Sequence, residues 1–359
     1  MSQDQESLQQ LRKIFLTQAK YCQELDSPFM VRLCTLFAEH LEPGNSVSHN
    51  LLNMADAQEF WNVALPLRIA GALHALVLKG QCEKLKRVYP PHHHNASDAD
   101  LWQAVNHAMD EHADFIHPFL SHAPQTNEVR RCAALLPGFL TIADKTGLPF
   151  TISELGASAG INQCWDSFAY QLDGQHWGDA ENGIVLSPQW LGNPPPDPIS
   201  IKVVERAACD LKPVNFHDPG ERLRLLSYIW ADQENRFILT DHALAFLEKC
   251  KYQVDAEDIS SWLPKRLGRN TEGQVHVIYH TIVWGYQEEN AKIANRALIE
   301  KAGKNATESS PLAWLRLEPD GKDPGAAITL TLWPGGREQT LGRADYHGRW
   351  VDWAAEYES

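Results

Sequence analysis

The chain has 359 residues, 43% of them hydrophobic, and a formal net charge of −14 at pH 7. This length predicts two domains, or one domain with a large addition, and the apolar fraction is ample for a packed core. Because an acidic protein repels phosphate backbones, the composition argues against nucleic acid as a partner.

Seven cysteines are scattered along the chain without any CxxC pair. An odd, unclustered set argues against a disulfide framework and against a zinc site, and it is typical of a reducing compartment. The N-terminus, MSQDQESLQQ, lacks the profile of a secretory signal, and no apolar run has the length of a membrane span. We therefore expect a cytoplasmic protein without a bound metal or a membrane partner.

The first part of the chain, residues 1–125, is a predicted helical region. Apolar residues recur at three- and four-residue spacing in LQQLRKIFLTQAKYCQEL, SPFMVRLCTLFAEHL and AQEFWNVALPLRIAGALHALVLKG. The same spacing predicts helices over 98–121 and 127–146, and the second of these ends at Gly147-Leu148-Pro149.

From residue 126 to 359 we predict one α/β domain. Apolar, partly β-branched runs predict its strands, which are LPFTISEL, IKVVERAACDL, QVHVIYHTIVW, PLAWLRLEP and AAITLTLWPG. Because helical segments separate several of these strands, βαβ units and a mostly parallel sheet are expected. The last strand and EQTLGRADYH, joined through Pro334-Gly335-Gly336, predict an antiparallel hairpin.

An insertion is predicted over about residues 168–198. The segment FAYQLDGQHWGDAENGIVLSPQW is typical of short strands and turns, and the proline cluster NPPPDP follows it. Since a plain βαβ unit would go straight on to its second strand here, we interpret the segment as an addition near the mouth of a pocket.

The segment ELGASAG, after the first predicted strand, has two interpretations. It fits G-x-S-x-G, in which Ser158 would be a nucleophile, and it also fits a glycine-rich turn that receives a nucleotide-like cofactor. A hydrolase elbow follows earlier strands and an oxyanion loop, whereas the sequence before this strand is helical. We favour the cofactor interpretation and keep the hydrolase as an alternative.

Acidic residues follow successive predicted strands of this domain. Glu154 ends the first strand, Asp210 ends the second in VERAACDLKP, and Asp258 or Asp255 follows the next. Carboxylates at this edge of an α/β sheet can hold ribose hydroxyls, but they repel a pyrophosphate and attract a cationic sulfonium. The acids therefore favour a cofactor without phosphates.

This pattern resembles the Rossmann-like S-adenosylmethionine-dependent methyltransferases over roughly residues 127–350. The resemblance implies that S-adenosylmethionine is the cofactor, with Asp210 on the ribose and Asp258 near the adenine. Ser158 stands where the family's motif usually has its middle glycine. The implied cofactor-binding residues are Glu154, Gly156, Ala157, Ser158, Gly160, Asp210 and Asp258.

A closer resemblance covers nearly the whole chain. The strings QTNEVRRCAALLPG, ELGASAGIN, CDLKPV, HTIVWGY, PLAWLRLEPDG and LGRADYHGRW are similar to the bacterial family catalogued as domain of unknown function 2332. This resemblance implies a methyltransferase-like fold and brings no established activity.

His280 and Tyr286 are the predicted catalytic residues. Both lie in HTIVWGY, at the carboxyl end of a central strand, where α/β sheets place ligands. His280 could be a general base for the atom that is alkylated, or a buried hydrogen-bonded histidine. Trp284 and Tyr286 could face a sulfonium, or pack in a core or an interface.

Two further functions stay open beside a methyltransferase that acts on a small molecule or a protein side chain. One is a non-catalytic ligand-binding protein of the same fold, and the other is a serine hydrolase that uses Ser158. The polar residues of GRADYHGRW could bind a substrate carboxylate, or alternate along an exposed hairpin.

Overall fold

The computed structural model describes residues 3–56, 64–269 and 271–355. The chain forms two compact units, a helical one of Met1–Thr126 with Phe216–Ile238, and an α/β one of Asn127–Asn215 with Leu239–Ser359. The short segment 216–238 thus belongs to the helical unit although it follows a strand of the sheet in the sequence.

In chain order, the helices are α1 (Gln3–Glu24), α2 (Pro28–His40), α3 (Ser46–Asp56), α4 (Leu65–Leu78), α5 (Glu83–Val88), α6 (Asp98–Glu111), α7 (Ala113–Leu120), α8 (Arg131–Thr146), α9 (Pro219–Ser227), α10 (Glu234–Cys250), α11 (Ile259–Leu267) and α12 (Glu289–Lys304). No helix among the described residues is long and apolar enough to cross a membrane.

The strands are β1 (Phe150–Leu155), β2 (Ala169–Leu172), β3 (Gln175–Trp177), β4 (Val185–Leu186), β5 (Gln189–Gly192), β6 (Val203–Asp210), β7 (Asp255–Ala256), β8 (Val275–Thr281), β9 (Leu312–Glu318), β10 (Ala326–Trp333), β11 (Arg337–Ala344) and β12 (Trp350–Trp353).

The helical unit follows the predicted periodicity. The rings of Phe15 in α1 and Phe37 in α2 stack with their centroids 4.8 Å apart, inside one continuous apolar core. The helix predicted over 98–121 is two helices, α6 and α7, because His112 between them leaves the helical conformation. The first part of the helix predicted in AQEFWNVALPLRIAGALHALVLKG, 57–63, lies outside the described residues.

The α/β unit contains a nine-stranded, mostly parallel sheet, as the sequence predicts. Its strand order is β5-β12-β11-β10-β9-β8-β1-β6-β7. The block from β7 to β9 is parallel throughout, and antiparallel pairs join β9 to β10 and β10 to β11. The predicted C-terminal hairpin is therefore present as β10 and β11.

The segment between β1 and β6 differs from a plain βαβ connection. A 3₁₀ helix, Ile161–Ser167, follows the glycine stretch where the cofactor interpretation expects an α-helix. The insertion then forms the small sheet β3-β2-β4, which confirms its predicted short strands. Its last strand, β5, pairs in parallel with β12 at the far edge of the main sheet.

Candidate functional site

The candidate site lies at the carboxyl ends of β1, β6 and β8. Glu154 near the end of β1 is in register with Ala208 of β6 on one side and with Tyr279 of β8 on the other. After β1, the chain places β6 and β7 on one side of β1 and then β8 and β9 on the other side, so the strand order reverses at β1. Open α/β sheets bind ligands where the strand order reverses in this way.

The glycine stretch after β1 is a compact turn held by the protein itself. Gly156, Ser158 and Gly160 have φ angles of +70°, +56° and +83°. The amides of Gly156 and Ala157 both donate to the Cys209 carbonyl, at 2.8 and 3.1 Å. The Gly160 amide donates to the Ala157 carbonyl at 2.8 Å. These donors are therefore occupied within the chain.

Aliphatic side chains cover the faces of both glycines. A β-carbon added to Gly156 would lie 2.2 Å from Cγ2 of Val283, and one added to Gly160 would lie 2.8 Å from Cγ2 of Val254. Close packing by the protein thus requires glycine at both positions. On the Gly156 face, Val283 occupies the space that the sequence interpretation reserves for a ligand.

Hydrogen bonds to Asp210 hold this turn against the end of β6. Its Oδ2 accepts from the Ser158 amide at 2.9 Å, and its Oδ1 accepts from the Lys212 amide at 2.8 Å. In the structure Asp210 holds Ser158 in its left-handed conformation, and the ribose contact that the sequence predicts for Asp210 stays a prediction. Its position at the carboxyl edge of the sheet is the predicted one.

Glu154 is a buried acid with a raised pKa. Its side chain is 3% exposed, and Tyr279 Oη, 3.3 Å from its Oε2, lies equally close to the Asn162 carbonyl. Burial and the negative charge of Asp210 raise the pKa of Glu154 to about 8, against the opposing hydrogen bond from Tyr279. This raised pKa disfavours the negative charge that was expected to attract a sulfonium.

Ser158 has no catalytic partner. It is 4% exposed, and its hydroxyl oxygen is buried without a hydrogen-bond partner among the described residues. A nucleophilic serine needs a base within hydrogen-bond reach, so the geometry removes the support for a serine hydrolase.

His280 is fully buried and both of its ring nitrogens are engaged. Nδ1 lies 2.7 Å from Oε1 of Glu318, and Nε2 accepts the indole N–H of Trp314 at 3.1 Å. Because the indole can only donate, Nε2 carries the lone pair and Nδ1 carries the proton that Glu318 accepts. No nitrogen is left for a substrate, so the arrangement corrects the predicted role of general base.

Glu318 organises the turn after β8. Besides His280, its Oε1 accepts from the amides of Val283 at 3.0 Å and Trp284 at 3.2 Å. The Trp284 ring stacks on His280 with centroids 4.9 Å apart, and Ile282 has a φ of +51°. Sequence reasoning missed Glu318, although an acid at the end of a parallel strand in PLAWLRLEP is a signal for this edge.

The other predicted residues lie apart from this network. Tyr286 is 80% exposed in the 3₁₀ turn Trp284–Tyr286. Asp258 is the N-cap of α11 and accepts from the Ser260 amide at 2.8 Å, so it is engaged by the helix. Asp255 accepts the indole N–H of Trp262 at 2.6 Å.

The polar residues of GRADYHGRW are ion-paired within the α/β unit. Arg343 forms a two-pronged contact with Asp320, with nitrogen–oxygen distances of 2.9 and 3.1 Å. Arg349 contacts both oxygens of the buried Asp345, at 3.0 and 2.7 Å. These contacts favour a structural role for the segment over substrate binding. Among the described residues, no cluster of His, Cys, Asp or Glu could hold a metal ion.

The fold and the candidate site define a mixed α/β protein with a mostly parallel sheet and a polar carboxyl edge. The chain belongs to the family described as uncharacterized protein conserved in bacteria, DUF2332, which matches residues 12–353. No curated protein and no solved structure matches the chain.

Proposed function

We propose that this chain is an S-adenosylmethionine-dependent methyltransferase with a Rossmann-like fold, acting on a small molecule or a protein side chain. The observation that carries the proposal is the reversal of strand order between β1 and β8, beside the left-handed turn that Asp210 holds. The parallel strands β7-β6-β1-β8-β9 follow the order 3-2-1-4-5 of doubly wound sheets.

The same turn favours a cofactor without phosphates. The amides of Gly156, Ala157 and Gly160 are bonded to backbone carbonyls, so they do not form a phosphate cradle. A 3₁₀ helix replaces the α-helix whose positive end stabilises a pyrophosphate. An adenosine ligand therefore fits this edge better than a dinucleotide does.

Because both ring nitrogens of His280 are engaged, the proposed methyl transfer has no histidine base. Methyl transfer depends mainly on alignment and on exclusion of water, so it can proceed without a side-chain base. The proposed acceptor is a group that is already nucleophilic at neutral pH. Tyr286 is 80% exposed at this edge, where it could contact that acceptor.

One observation favours a second candidate, a ligand-binding protein without transferase activity. Val283 packs on Gly156, so it occupies one face of the turn. A site restricted on this face could hold the adenosine moiety while excluding the reactive end of the cofactor. The two candidates share the ligand class and differ in whether a methyl group is transferred.

The first experiment measures ligand binding by calorimetry and by thermal shift. S-adenosylmethionine and S-adenosylhomocysteine are compared with a dinucleotide, and a ligand at 100 times its Kd is expected to stabilise the fold by about 2.7 kcal/mol. Asp210→Ala should weaken the response because it releases the turn. Asp218→Ala is the matched control, since Asp218 likewise accepts from two backbone amides, of Gly220 and Glu221, in the helical unit.

Val283→Ala separates the candidates further. This change opens the Gly156 face, so it should strengthen binding if the valine restricts the site. Binding with methyl transfer from labelled cofactor supports the transferase, and binding without transfer to any acceptor tested supports the second candidate. If neither the wild type nor Val283→Ala binds either ligand, both are rejected.

A further inference from the structure

Two cysteines lie close together beside the candidate site. Cys164 lies in the 3₁₀ helix that follows the glycine turn, and it is buried. Cys250 is the last residue of α10 and is partly exposed. The two thiols are neighbours, and the side-chain amide of Gln163, next to Cys164, donates to the carbonyl of Gln253, three residues after Cys250, at 3.5 Å.

Aromatic packing also holds the two cysteine-containing segments against each other. One helical turn before Cys250, the Phe246 ring meets the Phe168 ring edge-on, with centroids 6.3 Å apart. Phe168 lies four residues after Cys164, so the two phenylalanines and the two cysteines form matched contacts between the same two segments. The end of α10 is therefore held against the 3₁₀ helix at two points.

Arg206 ties the same segments together from the sheet. Its guanidinium binds both oxygens of Asp166 at 2.9 Å, and it lies 4.4 Å from the centre of the Tyr252 ring. Asp166 belongs to the 3₁₀ helix and Tyr252 follows α10, so the cation spans both partners. Its positive charge also stands near the sulfur of Cys250.

We propose that Cys164 and Cys250 are an oxidation site that forms a disulfide when the protein meets a hydroperoxide. Cys250 is the attacking thiol, because it is the more exposed of the two and faces Arg206. Its hydrogen bond with Cys164, together with the charges of Arg206 and Lys249, lowers the pKa of Cys250 despite partial burial.

The chemistry balances with the peroxide as the only oxidant. The Cys250 thiolate attacks one peroxide oxygen, the O–O bond breaks, and the leaving hydroxide takes a proton to become water. The Cys164 sulfur then attacks the sulfenic sulfur, forming the S–S bond and expelling hydroxide, which takes the Cys164 proton. Two thiols and one hydrogen peroxide give one disulfide and two waters.

The cross-link would stabilise the glycine turn by joining the segment that follows it to the end of α10. Val254, four residues after Cys250, packs on Gly160, and the Cys164 helix continues directly from that glycine. The disulfide would thus join both sides of this contact covalently. Oxidation is expected to slow opening of the turn without a change of fold.

The chain contains its own comparison pair. Cys22 and Cys34 in the helical unit also interact, but both are at most 1% exposed. If proximity alone decided reactivity, the two pairs would oxidise alike. Because a peroxide must reach the thiol that attacks it, Cys250 should react at least roughly tenfold faster than Cys22.

The experiment treats the reduced full-length protein with hydrogen peroxide, blocks free thiols, and maps linked peptides by mass spectrometry without reduction. The expected product is a Cys164–Cys250 link with the loss of two hydrogen atoms. In Cys164→Ser, Cys250 should stop at the sulfenic acid and be trapped by dimedone, whereas Cys250→Ser should leave Cys164 unmodified.

Hydrogen exchange gives a second measurement on the wild type. The oxidised form should exchange more slowly than the reduced form over residues 156–164 and 250–254. A Cys22–Cys34 link that forms as fast, a Cys250 that ends as sulfinic acid in the wild type, or unchanged exchange in the linked protein would each overturn the proposal.

Discussion

Two polar clusters lie on the carboxyl edge of the same sheet, and they differ in the kind of group that is left without a hydrogen-bond partner. The histidine cluster consists of His280, Trp284, Trp314 and Glu318. Both nitrogens of its imidazole are engaged, and its unpartnered buried atom among the described residues is Oε2 of Glu318, a carboxylate oxygen. The turn cluster consists of Glu154, Ser158, Asp210 and Tyr279, and it leaves the Ser158 hydroxyl unpartnered among the described residues.

The difference indicates which cluster maintains the fold and which is available for function. In the histidine cluster the N–H groups of His280 and Trp314 are bonded, and bonded buried donors fix the shape of a core. In the turn cluster a buried hydroxyl is unpartnered, which costs free energy and needs a reason to persist. Each cluster also holds one non-glycine residue at positive φ, Ile282 or Ser158, through a carboxylate on nearby amides. In the turn cluster the unpartnered group is a hydroxyl, which can donate as well as accept, whereas in the histidine cluster it is a carboxylate oxygen, which can only accept.

The largest expected effect tests the structural role of the histidine cluster. His280→Ala should lower the free energy of unfolding by about 3–5 kcal/mol, because it leaves a cavity in the core, leaves the buried Trp314 indole without its acceptor and removes one of three hydrogen bonds to Glu318. Chemical denaturation measures the change. Tyr286→Ala, at the other predicted catalytic residue, removes an exposed side chain and should stay within about 0.5 kcal/mol of the wild type. Similar losses in both variants would contradict the comparison.

The next effect belongs to the turn cluster. Asp210→Ala removes the acceptor of the Ser158 and Lys212 amides and should cost about 1–3 kcal/mol. Hydrogen exchange at these two amides should accelerate more than exchange in the core of β8. If the stability loss equalled that of His280→Ala, the turn would be as integral to the fold as the histidine cluster is.

Per pH unit, a smaller effect appears in the pH dependence of stability. Because the pKa of Glu154 is raised from 4.5 to about 8 on folding, its stabilising contribution is complete below the unfolded value and is lost as pH rises through the folded one. Glu154→Gln cannot ionise, so the wild type should lose stability relative to it by up to about 1 kcal/mol per pH unit between about pH 5 and pH 8. Parallel stability profiles for the two proteins would show that Glu154 ionises normally.

The smallest effect concerns backbone strain. Ser158→Gly accepts the left-handed conformation without a β-carbon and removes the unpartnered hydroxyl, so it should stabilise the fold by about 1 kcal/mol. Thermal unfolding measures the shift. If ligand binding weakens in this more stable variant, the serine is retained for the ligand. A destabilised variant would instead mean that the hydroxyl has a structural partner.

Local patterns predicted the elements of the fold well. The apolar runs gave β1, β6, β8, β9 and the hairpin, because a buried strand and a glycine-containing turn each have a short-range signature. The sequence also placed Glu154, Asp210 and His280 at the correct edge of the sheet. Their partners were not predictable in the same way, since His280 and Glu318 meet only after β8 and β9 have paired.

The roles of the predicted residues failed where they depended on those long-range partners. A histidine at a strand end is a candidate base until the indole of Trp314 occupies its lone pair. An aspartate at the same edge is a candidate ribose ligand until it accepts from the Ser158 amide. Sequence reasoning therefore placed these residues at the carboxyl edge of the sheet and could not decide which of their groups are engaged within the chain.

The path of β5 has a consequence for the order of assembly during synthesis. Gln189 pairs with Trp350, about 160 positions further along the chain, and contacts of such large separation form late because loop closure is costly. During synthesis, β5 leaves the ribosome long before β12, so the backbone groups of β5 that pair with β12 stay unpaired until then. We expect nascent chains that stop before β12 to leave this segment accessible to proteases and chaperones.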